Sequence, residues 1–356
     1  MIEVGVIGCG YWGPKLARNF HEMPEAKLAW VCDSRQDRLD HMRRLYPEAR
    51  TTTNYNEVLA SNVDAVVLAT PVSTHCSLAL LALGAGKHVL IEKPLAASTR
   101  EARSIVRAAG RLGLVAMVGH TFVYNPAVEA VREIIASGEL GEIYYINGTR
   151  ANLGLFQPDI NVLWDLAPHD VSILMYLLDG PPLTVSARGG AFVQKARGIH
   201  DMAHVSARFP KGVLADVRVS WLDPVKVRMY TVVGSKKMLV YDDIATVEKV
   251  TIYDKRVEFP PYSDTEQEFR ASYFHGEGAP HTVVWSEPLR RQCSHFVHCI
   301  EERRTPLSSA EAGLQVVQVL EAADRSLHNG GSWEDIEWEM ITTPESPRTF
   351  ALAGAS

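Results

Sequence analysis

The feature that most constrains this chain is its first apolar run, Val4-Gly5-Val6-Ile7, which stops at glycines spaced Gly8-x-Gly10-x-x-Gly13 and leads into Pro14-Lys15-Leu16-Ala17-Arg18-Asn19-Phe20. The pattern predicts a strand, a turn and a helix. Gly8 suits the tight turn, Gly10 lets the backbone approach a pyrophosphate, and Gly13 lets the helix start close against the strand. The N-terminus of that helix offers unpaired N–H groups to phosphates. Glycines at this spacing also occur by chance, so the context has to decide. A second strand, Leu28-Ala29-Trp30-Val31-Cys32, ends in Asp33, 20 residues after Gly13, where a ribose-binding carboxylate is expected. The stretch therefore predicts a dinucleotide site. Asp33 should accept both ribose hydroxyls and repel a 2′-phosphate, which favours NAD over NADP, although Arg35 and Arg38 stand close enough to offset the repulsion.

A chain of 356 residues exceeds one ordinary core, so two domains are expected. A formal net charge of -6 gives no basic footprint, which argues against nucleic acid as a partner. No apolar run approaches the ~20 residues of a membrane helix, and the first strand starts at Ile2 with no room for a signal peptide, so a cytoplasmic protein is expected. The five cysteines, Cys9, Cys32, Cys76, Cys293 and Cys299, are unpatterned and suit reduced, buried thiols.

Up to about residue 122, short β-rich runs alternate with helical stretches, the pattern of a doubly wound parallel sheet in an α/β fold. Helices are expected from Arg35 to Leu45, Ser73 to Leu83 and Thr99 to Leu112. Strands end at Thr70-Pro71, at Glu92-Lys93-Pro94 and at Gly119-His120. Ligands of such sheets sit beyond the carboxyl ends of the strands, so all these termini should converge on one crevice with the glycine-rich turn. Pro94 restricts the backbone that presents Lys93.

From residue 123 to 341 the pattern becomes strand-rich. Strands are expected at Ile143 to Arg150, Leu183 to Val193, Met202 to Phe209, Val213 to Trp221, Val227 to Val233 and Lys237 to Tyr241, in an open, mostly antiparallel sheet of an α+β domain. Helices follow at Pro288 to Arg303 and Ser309 to Leu327, the second packing back on the first domain. The tail at 342–356 should be disordered. An open sheet needs a cover, so a homo-oligomer through its large face is expected. Cys293, His295, His298 and Cys299 share the first of these helices, but the Phe296, Val297 and Ile300 between them read as a core stripe, and no metal site is assigned.

One helix interrupts the strands and carries Leu163-Trp164-Asp165-Leu166-Ala167-Pro168-His169-Asp170-Val171. Asp165 and His169, four apart, should share a helix face, so that the carboxylate orients the imidazole. Pro168 suggests that the helix proper starts there, with Asp165 just before its first turn. With no ligand involved, Asp165 would only cap that helix.

Taken together, Gly8 to Gly13, Thr70-Pro71 with His75, Gly86-Lys87-His88-Val89 leading to Glu92-Lys93-Pro94, and Asp165-x-x-x-His169 resemble the glucose–fructose oxidoreductase/inositol dehydrogenase (Gfo/Idh/MocA) family from Glu3 to Leu327. The resemblance implies that Lys93, Asp165 and His169 surround the substrate beside the nicotinamide. Gly119-His120-Thr121-Phe122-Val123-Tyr124-Asn125-Pro126 and Trp164 to Asp170 look most like the nucleotide-sugar 3-dehydrogenases, where many free-sugar relatives carry an arginine ahead of the Asn-Pro pair.

The resulting expectation is an NAD-dependent dehydrogenase that oxidises a secondary hydroxyl of a nucleotide-activated sugar at C3. Its alternatives are a cyclitol or free-sugar dehydrogenase and a non-catalytic NAD-binding sensor. The cofactor should meet Gly8, Gly10, Tyr11, Trp12, Gly13, Asp33, Ser34, Arg38, Thr70, Pro71, His75, Glu92, Lys93 and His120. The substrate should meet Lys93, Arg150, Asn152, Asn161, Trp164, Asp165 and His169. In this scheme His169 is the base, Lys93 hydrogen-bonds the reacting oxygen, Asp165 holds His169, and Arg150 with Asn152 reaches the pyrophosphate.

Overall fold

The computed structural model describes residues 1–258 and 271–338; the tail expected at 342–356 lies outside the described residues. The first sheet is built from β1 (Ile2–Ile7), β2 (Ala26–Cys32), β3 (Arg50–Thr52), β4 (Ala65–Leu68), β5 (His88–Ile91) and β6 (Ala116–Val118). All its pairings are parallel, in the order β3-β2-β1-β4-β5-β6. The order reverses between β1 and β4, which opens a crevice at the carboxyl ends of these two strands. Val4, Val6 and all of β4 are buried because helices cover both faces.

The helices follow from their apolar spacing. In α1 (Gly13–His21) the buried residues are Gly13, Leu16, Ala17, Asn19 and Phe20, a single face laid on the sheet. The α2 helix (Gln36–Leu45) adds Leu39 and Met42 to that layer. A short α3 (Tyr55–Leu59) precedes β4. On the opposite side, α4 (Val72–Gly84) lies beside α5 (Thr99–Leu112). Ser98 caps α5 by accepting from the Glu101 amide, and Gly113 ends it at a φ of 65° that favours glycine.

Beyond α6 (Pro126–Ala136) the chain enters a second sheet. Its strands are β7 (Ile143–Ala151), β8 (Thr184–Gly190), β9 (Met202–Arg208), β10 (Leu214–Ser220), β11 (Val227–Gly234), β12 (Met238–Asp242), β13 (Val250–Glu258), β14 (Ser272–His281) and β15 (Glu334–Asp335), with α7 (Val162–Leu177) between β7 and β8. The order is β14-β13-β12-β11-β7-β10-β9-β8-β15, and among the described residues only β7–β10 is a parallel pair. Ile146, Gly148 and Arg150 face inward on β7, toward a core shared with α6 and α7. Sequence reading did not find β13 and β14. Gly276, Gly278 and Pro280 break the strand signal in β14, and most of its side chains are exposed, so no alternation of buried and polar residues marks it.

Two late helices tie the sheets together. In α8 (Pro288–Glu301), Cys293, Phe296 and Val297 are buried among Val6, Leu16 and Phe20 of the first sheet's layer. In α9 (Ala310–His328), Leu314 and Val317 join the α4–α5 layer while Val316, Val319 and Leu320 join the core of the second sheet. Both helices therefore pack on the first unit, where only the second was expected to. No helix among the described residues is long and apolar enough to cross a membrane.

Candidate active site

The glycine-rich turn has the geometry its spacing predicts. Gly8 has a φ of +91°, and a Cβ there would lie 2.6 Å from the Ala69 carbonyl oxygen. A Cβ on Gly13 would lie 1.8 Å from the Gly8 carbonyl oxygen, so helix and strand approach more closely than any side chain permits. At Gly10 a Cβ would meet nothing within 4 Å. The protein itself therefore does not require glycine at position 10, and a methyl group there would fill the concavity before α1. Trp12 stands at the cap of α1 with no side-chain cap bond; Pro14 has no N–H and the Lys15 and Leu16 amides donate to the Trp12 carbonyl, which leaves the Gly13 amide of the first turn to a ligand. These features fit a pyrophosphate of NAD.

Around the turn, Asp33 accepts from the Cys9 amide at 2.6 Å and from the Arg35 amide at 2.8 Å, which fixes the carboxylate at the end of β2. The Arg35 guanidinium is engaged by Asp37 at 2.7 and 3.1 Å, and Ser34 and Arg38 are exposed beside it. Tyr11 and Trp12 are exposed and stack edge to face at 5.3 Å, with the Lys15 ammonium 3.3 Å from the Tyr11 ring centre. Trp12 therefore flanks the crevice and does not fill the helix–sheet contact.

One expected cofactor ligand is turned away. His75 is 1% exposed, with Nδ1 2.9 Å from the Pro94 carbonyl oxygen and Nε2 2.9 Å from that of Thr70. The expectation that His75 touches the cofactor is corrected: the buried ring lies between the Thr70-Pro71 and Pro94 loops with one nitrogen against each carbonyl, and its single N–H binds one of them. Glu92 is also buried, accepting from the Lys93 amide, and burial pushes its carboxyl up to about 7. Gly119 makes room for it, since a Cβ there would lie 3.2 Å from Glu92 Oε1.

The reacting side of the crevice forms where β5 and β6 end against α7. Asn161 caps α7, its Oδ1 accepting from the Trp164 amide at 3.1 Å while its Nδ2 donates to Asp324 at 2.9 Å. The helix thus starts at Val162 and not at Pro168, and Asn161 is a cap rather than a substrate ligand. Pro168 lies inside the helix and has no N–H for the Trp164 carbonyl. Lys93 approaches this turn and donates to the Asp165 carbonyl oxygen at 2.7 Å and to Asp165 Oδ1 at 3.2 Å. The Trp221 indole donates to Asp165 Oδ2 at 3.0 Å. Trp164 is half-buried between the two cores, and Asn152 follows β7, with its amide bonded to Ser220.

Asp165 therefore holds Lys93 and not His169, which corrects the expected carboxylate–imidazole pair. The four-residue spacing is present, but both carboxylate oxygens have other donors. His169 Nδ1 is buried with no hydrogen-bond partner among the described residues, and the same is true of both nitrogens of His120, which is 1% exposed. Burial and then Lys93 hold the His120 imidazole down to about 3. Burial comes first for His169 too, followed by the charges of Lys93 and Arg150, and it keeps the imidazole well below its usual range and hence neutral. With Nδ1 enclosed, Nε2 is the nitrogen with access to the crevice.

Arg150 is the largest departure from expectation. Its side chain is 4% exposed, and Nε lies 3.0 and 2.8 Å from the two oxygens of Asp170, itself 1% exposed. The Tyr230 hydroxyl donates to the same carboxylate. Enclosed and neutralised in this way, Arg150 is not presented to a pyrophosphate, and its assignment as a phosphate ligand is corrected. Sequence reasoning missed Trp221, Asp170, Tyr230, Phe122 and Arg228. Asp170 directly follows His169 in a motif already singled out, whereas nothing local marks Trp221 or Tyr230, which reach the site across the second sheet.

Comparison with known proteins agrees with this geometry. The family model described as an oxidoreductase family with an NAD-binding Rossmann fold (GFO/IDH/MocA) matches residues 2–120, and the GFO/IDH/MocA C-terminal domain matches residues 128–240. A UDP-N-acetylglucosamine 3-dehydrogenase of Acidithiobacillus ferrooxidans is 31% identical over 227 residues, 62% of this chain and 67% of the relative. A scyllo-inositol 2-dehydrogenase (NAD(+)) of Bacillus subtilis is 25% identical over 341 residues, 92% of this chain and 95% of the relative. Among solved structures, a protein of Magnetospirillum magnetotacticum superposes with a TM-score of 0.76 at 31% identity, covering 90% of this chain and 99% of its own.

Proposed function

The chain belongs to the Gfo/Idh/MocA oxidoreductase family as an NAD-dependent dehydrogenase of CH–OH groups, and from that premise we propose that it oxidises a secondary hydroxyl of a nucleotide-activated sugar at C3. The observation that carries the chemistry is the convergence of Lys93, Asp165 and His169 where β5 and β6 end. When bound, NAD supplies the hydride acceptor. His169, neutral, takes the hydroxyl proton at Nε2 as the carbonyl forms. An ammonium has three donors, and two of those on Lys93 are engaged by Asp165, so the third is free for the reacting oxygen. As negative charge develops on that oxygen, this donor stabilises it.

The nucleotide sugar is supported by the relative that acts on one and by the likeness of residues 119–126 and 164–170 to that branch. With Arg150 enclosed, Arg228 on β11 is a part-exposed cation near the site, 5.4 Å from the Phe122 ring centre and paired with Asp243 at 3.3 Å, that a pyrophosphate could meet. The enclosure of Arg150 favours a second reading, a free cyclitol or sugar, as in the inositol-oxidising relative. The proposal also includes a cytoplasmic homo-oligomer through the outer face of the second sheet. There Tyr145 and Leu214 stand paired and exposed, with Met229 beyond them on β11. Turnover on a UDP-sugar, the same sugar without its nucleotide, and inositol decides between the readings. The UDP-sugar should be used best, and equal or better turnover of either free compound would overturn the nucleotide-sugar assignment.

A further inference from the structure

His169 makes an aromatic contact. The Phe122 ring lies 5.0 Å from the imidazole, tilted by 66°. Phe122 belongs to the 3-10 turn Thr121–Tyr124, directly after His120. The Arg150 guanidinium carbon lies 4.3 Å from the Phe122 ring centre. Arg150 in turn is gripped by Asp170, the residue after His169 on the same turn of α7, so the chain of contacts closes on itself: His169, Phe122, Arg150, Asp170.

We propose that Phe122, clamped by the Arg150–Asp170 pair, is the positioning residue for His169, replacing the carboxylate that usually orients a catalytic imidazole. The proposal rests on His169 as the base. A planar ring fixed on one side by a guanidinium leaves the imidazole one packing geometry, with Nε2 toward the crevice. The two guanidiniums over Phe122 also disfavour a further cation beside it. The charged and titratable groups facing His169 are Lys93 after β5, His120 after β6, Arg150 on β7, Arg228 on β11 and, on its own helix, Asp165 and Asp170. Every cation among them opposes protonation, and both carboxylates are engaged elsewhere, so water admitted by loss of the Phe122 ring would ease protonation of His169.

The test compares Phe122→Leu, which keeps an apolar side chain, with Phe122→Tyr, which keeps the ring. In Phe122→Leu, kcat should fall about tenfold with KM changed less than about twofold, because the base is misplaced while binding is untouched. The acid limb of its kcat/KM profile should move to higher pH, and Phe122→Tyr should restore both. A readout independent of substrate is the NMR titration of the His169 ring in the NAD complex, assigned against His169→Asn. The parent ring should titrate well below the usual histidine range, and Phe122→Leu should move its midpoint to higher pH. An unchanged midpoint in Phe122→Leu, or a Tyr variant no better than the Leu variant, would overturn the proposal. Absence of turnover on every sugar offered would count against the substrate reading alone, because the titration stands without it.

Discussion

The two walls of the crevice are made of different material. The cofactor wall is backbone: a glycine turn, the uncapped start of α1, and an Asp33 that accepts main-chain amides. The reacting wall is side chain: Lys93 on Asp165, Trp221 on Asp165, Arg150 on Asp170, Phe122 on His169, with partners drawn from β5, β7, α7, β10 and the turn after β6. The turn of a backbone site is specified by a short run of sequence, because glycine takes a positive φ without strain and alone permits a sub-van-der-Waals approach. A side-chain site is specified by the tertiary fold, and its members need not be neighbours in sequence.

The largest effect expected from this contrast is on the reacting wall. His169→Asn should lose about 10²–10⁴ in kcat, the usual contribution of a positioned general base, while NAD affinity measured by titration calorimetry stays that of the parent. Lys93→Met should behave alike. Turnover within tenfold of the parent in both variants would remove His169 and Lys93 from the chemistry and bring the sensor alternative forward.

The same contrast explains what the sequence could reveal. Gly8, Gly13 and Asp33 were legible because each serves a local backbone need, and the parallel sheet followed from runs buried on both faces. Lys93 and His169 were legible through motifs. Their partners were not. Asp165 stands four residues before His169, and helix geometry invites that pairing, but Lys93 and Trp221 come from 72 and 56 residues away to occupy its oxygens. Arg150 sits on the strand and face that a phosphate ligand would need, yet its choice between substrate and Asp170 depends on burial, which only the packed β7–α7 interface decides. His75 was misread for the same reason, since a histidine after a strand end suits a ligand as well as a clamp.

Of intermediate size is the effect of Gly10→Ala, which probes the backbone wall alone. Its Cβ would meet no protein atom within 4 Å, so thermal stability should match the parent, while NAD affinity falls about tenfold as the methyl group enters the pyrophosphate concavity. A lower melting temperature with unchanged affinity would mean that Gly10 serves the fold and not the cofactor.

The smallest effect falls on Trp221, and it separates the walls most cleanly. Trp221 is 1% exposed, at the end of β10, and its indole is the donor that holds Asp165 Oδ2 while Lys93 holds the other oxygen. Trp221→Phe removes this bond and, because Phe is smaller at a buried site, leaves a small cavity, so the melting temperature is measured beside kcat. A hydrogen bond to a charged group contributes about 1.5–3 kcal/mol, so freeing one side of Asp165 lets the carboxylate and the Lys93 ammonium turn together away from the reacting oxygen. Because Asp165 keeps its bond to Lys93 and water can replace the lost donor, kcat should fall only about threefold, and NAD affinity should stay that of the parent. Combining Trp221→Phe with Lys93→Met should add little to the loss from Lys93→Met alone, since both act through the same ammonium. Additive losses in that double variant would show that Trp221 supports Asp165 for a purpose other than presenting Lys93.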